Sequence, residues 1–192
     1  WDGTGLYPQY ICEADMNQDD VNDILDIIDM IGIILNGGVR QEASDDQINA
    51  FLNENLKTTN YFDINKIKLN HARTIVLSPG PGHPLDYPKT AEVYRKFKAK
   101  KKIIGICLGF QQILCAEGGN IIQQKKIYHG YQSVIEVLQT SRLFKPSSTV
   151  YGGRYHSLKL QEPFKSATID ITMRCKKTNV AMALEDQTNH VY

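Results

Sequence analysis

An α/β fold, with a mostly parallel sheet flanked by helices on both faces and a β-rich C-terminal half, follows from three features of the chain. Between Thr74 and Ile122 short β-branched runs alternate with stretches of helical period, the pattern of strand and helix units wound around a parallel sheet. A strand, a sharp turn and a helix are written into Ile103-Ile104-Gly105-Ile106-Cys107-Leu108-Gly109-Phe110-Gln111-Gln112-Ile113-Leu114. From Val134 onward β-rich runs recur, so strands complete or flank the sheet.

The central stretch carries the chemistry. The apolar run up to Ile106 suits a fully buried strand, and Leu108, Phe110, Gln111 and Leu114 continue as a helix that ends near Gly118-Gly119. Cys107 then falls on the turn. Gly105 and Gly109 on either side let backbone come close, the steric logic of the Gly-x-Ser-x-Gly elbow of hydrolases with sulfur in place of oxygen. Free N–H groups and the positive dipole end at a helix start stabilise a thiolate and can stabilise an oxyanion on a bound acyl group. Cys107 therefore reads as a nucleophile, and Cys115, one turn and more along the helix, as a structural cysteine.

The elements follow in order. Residues 1–18 carry Gly3, Gly5, Pro8 and scattered aromatics without a period, which predicts irregular chain or a short edge strand at Tyr10-Ile11-Cys12. Val21, Ile24, Leu25, Ile28, Ile31 and Leu35 share one helical face, with Asp23, Asp26 and Asp29 on a solvated one, and Gly37-Gly38 ends that helix. A second helix starts at a Ser44/Gln47 capping box and buries Ile48, Phe51, Leu52 and Leu56. Thr74-Ile75-Val76-Leu77 is a buried strand that ends at Ser78-Pro79-Gly80-Pro81-Gly82. Two successive Pro-Gly pairs make that loop rigid and bare, suited to facing a ligand. A helix from Lys89 to about Lys100 buries Ala91, Tyr94 and Phe97 and ends in a lysine cluster favoured by its dipole. Ile121-Ile122, Val134–Val137, Thr149–Tyr151, Ala167–Met173 and Val180–Leu184 supply the later strands.

Composition bounds the function. The 192 residues fit one domain with a real core. Lysine and arginine (22) balance aspartate and glutamate (21), so no electrostatic footprint for nucleic acid is present. Cys12, Cys107, Cys115 and Cys175 are widely spaced with no Cys-x-x-Cys pair, which argues against a zinc site or a secreted disulfide framework and for a reducing, cytoplasmic setting. No apolar run reaches membrane-spanning length and no signal-peptide pattern opens the chain. No metal or organic cofactor is indicated.

Three segments in the same order resemble a known family. Gly105-Ile106-Cys107-Leu108-Gly109-Phe110-Gln111 is similar to the nucleophile motif of class I (triad-type) glutamine amidotransferases, Leu77-Ser78-Pro79-Gly80-Pro81-Gly82 to their oxyanion and glutamine-binding loop, and Arg154-Tyr155-His156-Ser157-Leu158 to a substrate-holding segment. The last, with His129-Gly130 upstream, resembles the glutaminase subunits of anthranilate synthase and of aminodeoxychorismate synthase. The resemblance implies a flavodoxin-like sheet and one amidotransferase domain over 1–192, with 61–192 as its core and 1–60 as a divergent or added N-terminal region. It implies that Cys107 attacks L-glutamine to release ammonia for a chorismate-using synthase, in tryptophan or folate biosynthesis. It implies that Gly82 and Leu108 supply the oxyanion-hole N–H groups, and that Gly80, Pro81, Gly82, Gln111, Ser157 and Leu158 hold the glutamine.

The sequence departs from the family in places. The Asp-Ser-Phe loop that follows the first strand in related subunits does not stand before Ser78, and Phe110 replaces a polar or histidine residue. The His-Pro-Glu that completes the family triad is absent, although Asn189-His190-Val191-Tyr192 resembles the strand leading to it. No base is assigned among His71, His83, His129, His156 and His190, and the chain by itself is expected to hydrolyse little glutamine. Two rival readings remain: a non-catalytic glutamine-binding module, and a related cysteine hydrolase.

Overall fold

Two short β-branched runs form the parallel pair on which the site is built. The computed structural model describes residues 61–64 and 69–192, all within one unit, Asn60–Tyr192. The strand at Tyr10-Ile11-Cys12 and the two helices expected before residue 57 lie outside the described residues. Thr74–Leu77 is β1 and Lys102–Gly105 is β2, paired in parallel from Thr74↔Lys102 to Leu77↔Gly105. Ile75, Leu77, Ile103 and Ile104 are buried, as expected for strands covered on their faces.

Between them runs α1, Pro88–Phe97, opened by a proline in its first turn and burying Tyr94 and Phe97. It stops short of Lys100 because the Lys100 and Lys101 amides both turn back to the Phe97 carbonyl. The Lys101 ammonium meanwhile holds the Asn70 and Ala72 carbonyls. After β2 comes α2, Leu108–Ala116. The ends of the two helices are tied at Glu117, whose Oε1 accepts from the Tyr94 hydroxyl at 2.9 Å and from Lys98 Nζ at 2.5 Å.

The later strands are longer than their local patterns predict. Ile121–Val137 is a single strand, β3, and Thr149–Leu160 is β4, which carries Arg154-Tyr155-His156-Ser157-Leu158 within it. Polar residues and glycines interrupt both runs, but pairing to each other carries the ladder across, with register shifts between Gln123/Tyr128 and His129/Tyr131 absorbing the mismatch. Ile169–Cys175 (β5) and Ala181–Asp186 (β6) complete an antiparallel sheet of order β4-β3-β5-β6.

The C-terminal residues join the two sheets. Val191 bridges Ile103 in parallel and Asp186 antiparallel, and the Gly105 amide donates to the Tyr192 carbonyl at 2.7 Å. The buried Asp186 carboxylate holds the turn by accepting from the amides of Thr188 and Asn189 and from the Asn189 side chain. Burial opposes its ionisation, but the bonds from Asn189 and Thr188 outweigh that and hold it below the usual carboxylate range. One cluster spans both sheets and both helices, with Leu77, Phe97, Ile103, Ile113, Leu160, Leu184 and Val191 among its members. Among the described residues no helix is long and apolar enough to cross a membrane.

One contact sets how close α2 stands to β1. A Cβ added at Gly109 would lie 2.0 Å from the Leu77 carbonyl oxygen. Gly109→Ala is therefore expected to destabilise the protein by about 3 kcal/mol or more, measured by denaturant unfolding with the slope unchanged.

Candidate active site

Cys107 sits at the junction of β2 and α2 with φ 52° and ψ −103°, a conformation that costs a non-glycine residue roughly 1–3 kcal/mol. Its surroundings over-determine it. The Ile106 amide donates to the Leu77 carbonyl at 3.0 Å, the Gly109 amide to Ile106 at 2.9 Å and the Gln111 amide to Cys107 at 3.1 Å. A side chain at Gly105 would meet Ile113 and the Gly109 backbone at 2.5–2.7 Å. The elbow expected from the glycine spacing is thus a consequence of backbone crowding at two positions.

The thiol is half-buried and its Sγ donates to the Tyr155 carbonyl at 3.8 Å. Burial pushes its pKa above the ordinary cysteine value, and the Leu108 N–H only partly offsets this. The expected thiolate stabilisation is therefore corrected: desolvation, which disfavours the charged form, outweighs the helix-start N–H. At neutral pH the group is a thiol, and its use as a nucleophile requires a proton acceptor.

The Ser78–Gly82 loop lies against the elbow, with Gly80 so close to Leu108 that a Cβ there would stand 2.9 Å from Leu108 Cδ2. Gly82 has φ +81°, a conformation open to glycine at little cost. Its N–H donates to no group among the described residues. Beyond it, His83 and Asp86 form a capping box on the 3₁₀ turn Pro84–Asp86.

β4 approaches from the other side through Tyr155. Ser157 and Leu158 are half-buried two and three residues further on, and Gln111 is buried in the first turns of α2. A network that the sequence reading missed holds this strand. Arg154 is 1% exposed; its Cζ stands 3.6 Å from the Tyr128 ring centroid. It donates to His156 Nε2, Gln124 Oε1, Thr178 Oγ1 and Cys175 Sγ at 2.9–3.4 Å. Burial alone would raise the Cys175 thiol, but Thr178, the Lys177 amide and the Arg154 charge bring it below the usual range. Gln124 reaches the His156 and Leu158 carbonyls from the bulge in β3.

None of the five histidines is bonded to Cys107. His83 uses both ring nitrogens, on the Leu85 amide and the Ile121 carbonyl. His156 accepts from Arg154 at Nε2 and donates to the Leu158 carbonyl from Nδ1; burial lowers its pKa and keeps it neutral. His71 and His190 are exposed on other elements, and His129 meets the Tyr155 ring edge-on at 5.5 Å between centroids. Among the described residues no three His, Cys, Asp or Glu side chains gather as metal ligands.

The family model for "Glutamine amidotransferase class-I" matches residues 52–192. The chain belongs to the class-I glutamine amidotransferases. It is 32% identical over 123 residues to the anthranilate synthase component 2 of Lactococcus lactis, covering 63% of this chain and 62% of that protein. It is 34% identical over 119 residues to the bifunctional protein TrpGD of Thermotoga maritima, covering 58% of this chain and 19% of that one. A Thermotoga maritima glutamine amidotransferase shares the fold, with a TM-score of 0.53 at 15% identity over 66% of this chain and 56% of that one. The matched stretch thus spans less than two thirds of each of these relatives. The amidotransferase fold expected from the sequence, a parallel sheet with a β-rich C-terminal half, is the one observed.

In this amidotransferase the raised Cys107 thiol has a measurable consequence. Alkylation of Cys107 by iodoacetamide, followed by peptide mass spectrometry, is expected to keep accelerating with pH beyond about 8.5, where an ordinary cysteine begins to level off.

Proposed function

We propose that this chain is the glutaminase of a chorismate-using synthase. Cys107 Sγ attacks the side-chain amide carbon of L-glutamine, forming a C–S bond; the C–N bond then breaks and ammonia leaves with an added proton. The remaining glutamyl thioester is hydrolysed by water to glutamate. The N–H groups of Gly82 and Leu108 stabilise the oxyanion, while Gly80, Pro81, Gln111, Ser157 and Leu158 hold the substrate. What carries this reading is convergence: the elbow touches the Gly80 loop through Leu108 and the Ser157 strand through the Tyr155 carbonyl.

Ammonia is the useful product. Relatives named anthranilate synthase component 2 favour anthranilate as the synthase's product over aminodeoxychorismate, and the free thiols of Cys107, Cys115 and Cys175 suit a reducing, cytoplasmic compartment. The raised thiol requires a base, which typically contributes a hundredfold to ten-thousandfold. The strand through Val191 runs parallel to β2 and reaches the level of Gly105 at Tyr192. A histidine continuing that direction by two or three residues, at about 3.3 Å each, would stand level with Cys107. The engaged ring nitrogens of His83 and His156 favour a second reading, a module that binds glutamine without hydrolysing it.

Glutamate production separates the two, assayed for these 192 residues, for a version carrying a histidine-bearing continuation, and for each with a chorismate-using synthase. The enzyme reading expects activity to rise with the continuation or the partner; binding of glutamine with no turnover in any combination supports the module. In the active form Cys107→Ser is expected to abolish turnover while leaving glutamine binding and the fold intact. A glutamine-like electrophile should label Cys107 alone; adducts on Cys12, Cys115 or Cys175 would refute the assignment. Ser157→Ala is expected to raise KM by the worth of one hydrogen bond, about 1 kcal/mol. Gly82→Ala is expected to lower kcat by roughly a hundredfold.

A further inference from the structure

The donor proposed at Gly82 belongs to a peptide group whose other end is held. Pro81–Gly82 is a trans peptide, so its C=O and N–H point in opposite directions in one plane. The Tyr87 hydroxyl donates to the Pro81 carbonyl at 2.8 Å. That bond fixes the plane and therefore the direction of the Gly82 N–H on the opposite side. Donation to the carbonyl also polarises the amide and makes the N–H a better donor.

Tyr87 is itself tied to the nucleophile's helix. Gln112, 3% exposed in α2, donates from Nε2 to the Tyr87 carbonyl at 2.8 Å. The Tyr87 ring packs edge-on against Tyr61, with centroids 5.2 Å apart. From Cys107 to the loop there is thus a continuous path: α2, Gln112, Tyr87, the Pro81 carbonyl. His83 anchors the far end of the loop to β3 through the Ile121 carbonyl at 3.0 Å, leaving the Pro81–Gly82 peptide between two fixed points. Proline at 81 removes further freedom of φ.

We infer that Tyr87 is a positioning residue for the glutaminase reaction, its hydroxyl aiming the Gly82 N–H at the oxyanion that forms over Cys107. The inference rests on the oxyanion role proposed above for Gly82. Tyr87 touches neither glutamine nor the thiol; it acts through one peptide plane. A misdirected rather than missing donor lowers the acylation rate without weakening substrate binding, because the oxyanion exists only in the transition state.

The test uses Tyr87→Phe, which removes one oxygen and keeps the ring packing. Cys107 is acylated at alkaline pH by a γ-glutamyl thioester: the Cys107 thiolate displaces the ester's thiolate, so no protein acid is needed for departure. Mass spectrometry follows the adduct, and iodoacetamide, whose reaction forms no oxyanion, is the control. The expected result is an acylation rate constant about tenfold lower, with an unchanged half-saturating concentration and an unchanged iodoacetamide rate. Wild-type acylation by the variant would overturn the inference and leave the glutaminase reading standing. Equal slowing with both reagents, or a shift confined to half-saturation, would overturn it in favour of a general disturbance or a binding role. Failure of the wild-type protein to acylate at Cys107 would bring down the glutaminase reading and this inference with it.

Discussion

The first turn of α2 rests on the end of β1 with no room for a single methyl group at residue 109. The rest of the site depends on that approach. Because the Gly109 backbone meets the Leu77 carbonyl, the chain must turn within Ile106–Leu108, which drives Cys107 to positive φ. The same approach brings Leu108 under Gly80, so the loop leaving β1 and the helix leaving β2 share one corner. Close packing makes such a corner two-sided: altering either glycine displaces Cys107 and the loop together.

A corner this tight takes the Cys107 thiol partly out of water, and that sets the electrostatics. Cys107 gains one N–H from Leu108 but loses more by desolvation, so its resting form is the thiol. The histidines nearest in sequence logic are committed elsewhere. His83 staples the loop to β3, and His156, held neutral, links Arg154 to the Leu158 carbonyl. Both act as scaffolding for segments that flank the thiol.

Arg154 is the costliest element of that scaffold. A guanidinium 1% exposed, bonded to a histidine, an amide, a hydroxyl and a thiol, has no carboxylate among these partners. Burying an ion in this way carries a desolvation penalty of several kcal/mol. The face of Tyr128 and the polarised Cys175 offset part of it. What the arrangement secures is the path of β4: with Arg154 fixed inward, alternation turns Tyr155 outward, and its carbonyl meets the Cys107 thiol.

How far the sequence reaches can be traced residue by residue. Gly105-x-Cys107-x-Gly109 and the β-branched runs beside it specify an elbow between a strand and a helix, because only glycine tolerates the contacts such a turn makes. Two Pro-Gly pairs specify a stiff loop, for a reason equally local. These features are legible because backbone sterics act within a few residues. The merging of Ile121–Val137 and Thr149–Leu160 into long paired strands was not, since polar stretches and Gly152-Gly153 look like breaks until a partner strand supplies the hydrogen bonds. Nor did the sequence disclose the sign of the Cys107 shift, which depends on what covers the thiol, or the tasks of His83, Tyr87 and Arg154. Their partners lie 38, 6 and up to 30 residues away, and only the tertiary fold decides which distant groups share a low-dielectric space where a hydrogen bond or a charge has a large effect.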